Sequence, residues 1–152
     1  MNIKKDKYIV LEIIPTSANP KNGSIIQLSA LKINGLELID RFDYRLNDEK
    51  LPIPEMKSWI SYDNNYFKYV DSEEEIMDCF KKWSEGLPIL VIDNIYTDRY
   101  LNEIANKIDY IYKYLNLDYS TNLIDIIIKK YNLEPSNHIV DLMYEALMFH
   151  YN

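Results

Sequence analysis

Apolar positions in this chain fall into runs with two periods. Tyr8 to Ile14 is apolar at every position except Glu12, the pattern of a strand covered on both faces and therefore central in its sheet. Pro15 ends that run, and residues 16–23 carry the turn formers Asn19-Pro20 and Asn22-Gly23. Ser24 to Ile33 and Leu36 to Arg45 read as two further strands joined through Asn34-Gly35. That dipeptide tolerates positive φ, so it predicts a type I′ hairpin with antiparallel pairing.

Beyond Arg45 the period changes. Asn47 to Asp71 contains Pro52, Pro54 and a polar-aromatic stretch, and predicts irregular structure. Ser72 followed by Glu75 is a capping box, and Ile76, Cys79, Phe80 and Trp83 form an apolar stripe behind it, so a helix runs to Gly86. Leu87 to Ile92 is a short apolar run after a helix, which predicts a buried parallel strand. Helices are expected over Thr97 to Lys107, Ile108 to Leu115, Ser120 to Tyr131 with Asn132 at its end, and His138 to Phe149. The order predicts an α/β fold, a mixed sheet of about five strands between helices.

Composition narrows this. At 152 residues, 47% hydrophobic and 27% charged, residues 1–152 suit a single globular domain with its own core. One cysteine, Cys79, cannot form an internal disulfide or a cysteine metal cluster. The formal charge of -7 argues against tight, sequence-independent binding to nucleic-acid backbone, which rests on neutralising phosphates. A site that holds a nucleic-acid end through metal ions is compatible with net acidity, because carboxylates line it. No run approaches the roughly 20 apolar residues of a spanning helix, and the start lacks a signal-type pattern, so a cytoplasmic location without membrane contact is expected. Glu12 is the anomaly. A buried carboxylate without a partner costs several kcal/mol, so Glu12 must face a polar cleft, a cation or a hydrogen-bond donor.

Three stretches carry a resemblance. The first is Tyr8-Ile-Val-Leu-Glu12-Ile-Ile14-Pro-Thr16, with Ile25-Ile-Gln27-Leu-Ser-Ala30 after it. The second is Leu90-Val-Ile-Asp93-Asn94-Ile-Tyr-Thr-Asp98-Arg-Tyr-Leu101, and the third is Asn137-His138-Ile-Val-Asp141-Leu-Met143-Tyr-Glu-Ala146. In order and separation they resemble the motifs of the DEDDh 3′–5′ exonucleases, of the type of the proofreading epsilon subunit of DNA polymerase III and of RNase T. That resemblance spans about Tyr8 to Phe149 and implies a ribonuclease H-like fold. It also implies hydrolysis of a terminal phosphodiester by two Mg²⁺ or Mn²⁺ ions held on four carboxylates, with a His as general base toward the attacking water.

Carried over position by position, Glu12 stands at the first carboxylate, one methylene longer than the family's Asp. Ile14 stands at the second and cannot ligate. Asp98 matches the third, and His138 matches the general base. Met143 stands at the fourth, where a thioether is a poor ligand for a hard ion. Asp141 and Glu145 lie about 200° around the helix from Met143 and do not replace it. Thr16 and Asn94 are the cleft candidates. The resemblance therefore implies an ion that is weakly held at best, with Glu12, Asp98 and His138 as remnants of the site. Three functions stay open: a catalytically impaired relative keeping a cleft for a single-stranded nucleic-acid end, a nucleotide or a partner; an active metal-dependent exonuclease with an altered ligand set; and a protein-interaction module, for example a homodimer, without nucleic-acid function.

Overall fold

The computed structural model describes residues 2–47, 67–91, 99–103, 114–116, 129, 132 and 139–151. Strands β1 (Lys7–Pro15), β2 (Ile25–Asn34), β3 (Glu37–Leu46), β4 (Lys68–Val70), β5 (Ile89–Val91) and β6 (Tyr114–Asn116) form one sheet in the order β4-β3-β2-β1-β5-β6. Pairing is antiparallel for β1–β2 and β2–β3, and parallel for β3–β4, β1–β5 and β5–β6. Helix α1 (Glu73–Ser84) covers one face and helix α2 (Ile139–Tyr151) the other. This is the expected mixed sheet between helices, with six strands where about five were predicted.

Two of the six lie outside the four strands located in the sequence and fall where other structure was expected. β4 lies within the stretch predicted as irregular, and β6 overlaps the helix predicted over Ile108 to Leu115. Each is 3 residues long, too short to display a period. Each exists because a neighbouring strand offers it a parallel edge.

Alternation along β1 sorts its side chains. Ile9, Leu11 and Ile13 pack with Leu28, Ala30, Phe42, Ile76 and Phe80 under α1. Tyr8 and Val10 pack with Leu31, Val140, Met143 and Leu147 under α2. Helix α1 begins as predicted: Ser72 is extended and its hydroxyl accepts the Glu75 N–H at 3.2 Å. Its end is held from the sheet, where the buried Lys32 ammonium donates to the Trp83 carbonyl at 2.7 Å and to Glu85 at 3.1 Å. A cation against a helix C-terminus is favourable. Among the described residues no helix is long and apolar enough to cross a membrane.

The β2–β3 turn corrects one expectation. Asn34 pairs with Glu37, so the loop is Gly35-Leu36. Gly35 has φ 63° while neither Asn34 nor Leu36 has positive φ. Positive φ confined to the first loop residue marks a type II′ turn, not type I′; glycine alone makes the bend and Asn34 stays in the strand. The turn is also packed: Gly35 N–H donates to the Asp6 carbonyl at 2.9 Å, and Tyr8 Oη donates to the Gly35 carbonyl at 3.1 Å. A Cβ at Gly35 would lie 2.5 Å from the Lys4 carbonyl oxygen. Gly35→Ala therefore combines left-handed backbone strain of about 1–2 kcal/mol with a backbone collision. A loss of at least about 2 kcal/mol is expected in urea unfolding, and a change under 0.5 kcal/mol would contradict this account of the turn.

Candidate functional site

The α2 face of the sheet changes character along β1. At the β2–β3 turn end it is apolar, with Tyr8, Val10, Leu31 and Ile33. Toward the carboxyl end of β1 it becomes polar while staying buried. The register sets three rungs of facing residues: Val10–Leu31–Arg41, Glu12–Ser29–Asp43 and Ile14–Gln27–Arg45. Paired strands lie about 4.8 Å apart, so each rung spans about 10 Å. Glu12, Gln27, Ser29, Asp43 and Arg45 are each 7% exposed or less.

Burial on this scale requires partners. Arg45 donates from Nε and Nη2 to Gln27 Oε1 at 3.2 and 2.6 Å, and stacks on the Phe67 ring at 4.4 Å. Gln27 Nε2 donates to Ser29 Oγ at 3.3 Å. Glu12, 2% exposed, is engaged too. The sequence singled out Glu12 and quoted Gln27 as part of a motif, but missed Asp43 and Arg45. The alternation Arg41-x-Asp43-x-Arg45 is the signal that exposes them, once β3 is placed beside β2 with its polar side inward.

Arg41 joins this strip to α2. Its Nη1 and Nη2 donate to the two Asp141 carboxylate oxygens at 2.6 and 3.3 Å, and its Nε donates to Asp43 at 3.3 Å. Burial works against the guanidinium's charge, but Asp141 and Asp43 outweigh it and hold its pKa above the ordinary value. Tyr144 Oη donates to the Leu36 carbonyl at 2.9 Å. These two ties fix the rotation of α2. Asp141 points to Arg41, and Glu145 is exposed, its pKa raised by partial burial and by Asp141. Met143 is turned into the apolar layer, 1% exposed among Val10, Val140 and Leu147.

The two-ion centre implied by the resemblance does not fit these residues. Ile14, 0% exposed, and Met143, 1% exposed, which the resemblance aligns with two of the four ligand positions, offer only hydrocarbon and thioether, neither a ligand for a hard divalent ion. Among the described residues no group of three or more His, Cys, Asp or Glu is placed to hold a metal. Asp98, His138 and Asn94 lie outside the described residues. Thr16 sits at the carboxyl end of β1 and closes the loop over residues 16–24: its N–H donates to the Ser24 carbonyl at 2.9 Å and its Oγ1 accepts the Ser24 N–H at 2.9 Å.

A three-stranded antiparallel unit, β1 at its inner edge, parallel strands beyond it and a final helix packed over the amino half of β1 make a ribonuclease H-like fold of the exonuclease type. Known proteins with this fold agree. The zinc-bound complex of Escherichia coli exonuclease I with single-stranded DNA superposes with a TM-score of 0.59 at 12% identity, covering 95% of this chain and 40% of that one. Ligand-free exonuclease I superposes at 0.53 and 14% identity, covering 88% of this chain and 32% of that one. In sequence, the chain is 26% identical over 110 residues to the PolC-type DNA polymerase III of Oceanobacillus iheyensis. That match covers 72% of this chain and 8% of the polymerase. No protein-family model matches the chain.

Proposed function

We propose that this chain is a catalytically impaired relative of the 3′–5′ exonucleases that binds a single-stranded nucleic-acid end in the cleft at the carboxyl end of β1. The observation that carries the proposal is the burial of Ile14 and Met143 on the same sheet face as Glu12. Two positions aligned with family ligands are filled by side chains that belong to the core, and the Asp141 carboxylate of α2 is taken up by Arg41. The fold supports binding of a strand end, since exonuclease I with this fold is seen in complex with single-stranded DNA. Mg²⁺ or Mn²⁺ has at most a weak hold here, through Glu12 and Asp98, and no bond cleavage is assigned to it. The net charge of -7 keeps the binding weak, because few phosphates are neutralised. The salt slope should be shallow, roughly 0.7 log unit of affinity per log unit of salt for each phosphate neutralised on a single strand.

A time course on an end-labelled oligonucleotide tests this. With Mg²⁺ or Mn²⁺ present, the full-length strand should persist, while fluorescence anisotropy reports salt-sensitive binding that needs a free 3′ end. Metal-dependent loss of 3′ nucleotides, abolished by Asp98→Ala, would instead establish an active enzyme with an altered ligand set. Absence of both binding and cleavage, together with a stable dimer, would assign the chain to protein interaction.

A further inference from the structure

We propose that Tyr100 is a positioning residue for strand-end binding, because its hydroxyl fastens the loop that follows β1 to helical residues 99–103, making one rigid rim at the carboxyl end of β1. This rests on the function proposed above and adds a residue to it.

The tie has several parts. Tyr100 Oη donates to the Ser17 carbonyl at 2.8 Å. Beside it, Arg99 Nη1 donates to the Ala18 carbonyl at 3.3 Å. Both accepted groups are backbone carbonyls of the loop over residues 16–24, so the loop is gripped by its main chain. On the far limb of the loop, Gly23 makes room for the phenol: a Cβ there would lie 2.2 Å from Tyr100 Oη and 2.8 Å from Ser17 Cβ. Within the loop, the Thr16–Ser24 bonds and the Asn22 N–H to Asn19 carbonyl bond at 3.1 Å leave little slack.

The ring of Tyr100 is buried with Ile9, Leu11 and Leu101 under the sheet. Only its hydroxyl is left to serve the loop. Burial, with the charge of Glu73, pushes that hydroxyl up to about 12, so it stays a donor throughout the physiological range. The tie is therefore permanent and not a pH switch. Its effect is pre-organisation: a loop already held in one shape loses less entropy when a ligand orders it. A residue that only filled the core would need no hydroxyl, and Gly23 would not need to be free of a side chain.

Tyr100→Phe separates these roles, since it keeps the ring and removes the tie. Gly23→Ala tests the other side of the same contact should the phenylalanine variant fold poorly. Two readouts are compared with wild type: amide hydrogen exchange at Asn22 and Ser24 against Leu28 and Ala30 in β2, and anisotropy of a 5′-fluorescein oligothymidylate with a free 3′ end. Both variants should exchange about 10-fold faster in the loop with β2 unchanged, and bind the oligonucleotide about 5- to 10-fold more weakly. Unchanged loop exchange would show that no tie exists. Faster loop exchange with unaltered affinity would reduce Tyr100 to a structural residue. Failure of the wild-type protein to bind the oligonucleotide at all would overturn the proposed function, and the positioning role with it, whatever the exchange data show.

Discussion

Replacing Ile14 with Glu and Met143 with Asp in one variant should lower stability by about 4 kcal/mol or more in metal-free buffer, and should make the fold respond to Mn²⁺. Both positions are fully buried, at 0% and 1% exposure, on the face that already carries Glu12. Each new carboxylate loses its hydration at a cost of several kcal/mol. The two also repel Glu12, so the variant lies near the unfolding threshold of a protein of ordinary stability. A divalent ion that binds only the folded form reverses part of this. At 100 times its dissociation constant it stabilises by about 2.7 kcal/mol, or roughly 5–10 °C in melting temperature for a chain of this size. Wild type should shift by no more than about 1 °C under the same titration, against that same scale. Met143→Leu conserves volume and should cost under about 1.5 kcal/mol, which separates loss of packing from burial of charge. If Mn²⁺ stabilised wild type as much as the double variant, the carboxylate centre would be functional and the proposed impairment would be wrong.

What the sequence made legible follows from how locally each feature is determined. β1, β2, β3 and α1 are long enough for their hydrophobic period to decide them, and Ser72 marks the start of α1 by its own chemistry. β4 and β6 are decided by the strands they lie beside, so nothing in Lys68-Tyr69-Val70 or Tyr114-Leu115-Asn116 announces them. The buried state of three candidate residues was equally legible. Glu12 in an apolar run, and apolar Ile14 and Met143 at motif positions, could be read off directly. The strip of Asp43 and Arg45 could not. It depends on the β2–β3 register, and that register shifts between Lys32 and Ile33, where Ile39 is the extra residue on β3. A one-residue shift exchanges the faces of a strand, so alternation alone could not tell which polar residues of β3 turn inward. The hairpin shows the same limit: Asn34-Gly35 located the turn, but pairing moved the loop one residue on and changed its type.

Arg41→Met should cost about 3 kcal/mol, and most of that loss should trace to Asp43 rather than to the better-aligned Asp141. The bond lengths suggest the opposite, with 2.6 Å to Asp141 against 3.3 Å to Asp43. Exposure decides otherwise. The Asp141 side chain is 40% exposed, and water takes over when the guanidinium leaves; pairs of that kind contribute about 0.2–1 kcal/mol. The Asp43 side chain is 1% exposed, and stripping the cation from a buried carboxylate costs about 3–5 kcal/mol, with the lower end apt because Asp43 has further interactions. Asp141→Asn should therefore cost under about 1 kcal/mol. Adding Asp43→Asn to Arg41→Met should recover about half of the loss, because the charge that needed the cation is gone. Urea unfolding of wild type, Arg41→Met, Asp43→Asn and the double variant closes the cycle, with Asp141→Asn measured beside them. Equal losses for Asp141→Asn and Arg41→Met would mean that Arg41 acts mainly as a staple for α2. The placement of Met143 would then depend on one surface pair, and Asp141→Asn alone should loosen the helix enough to raise amide exchange along Val140 to Leu147.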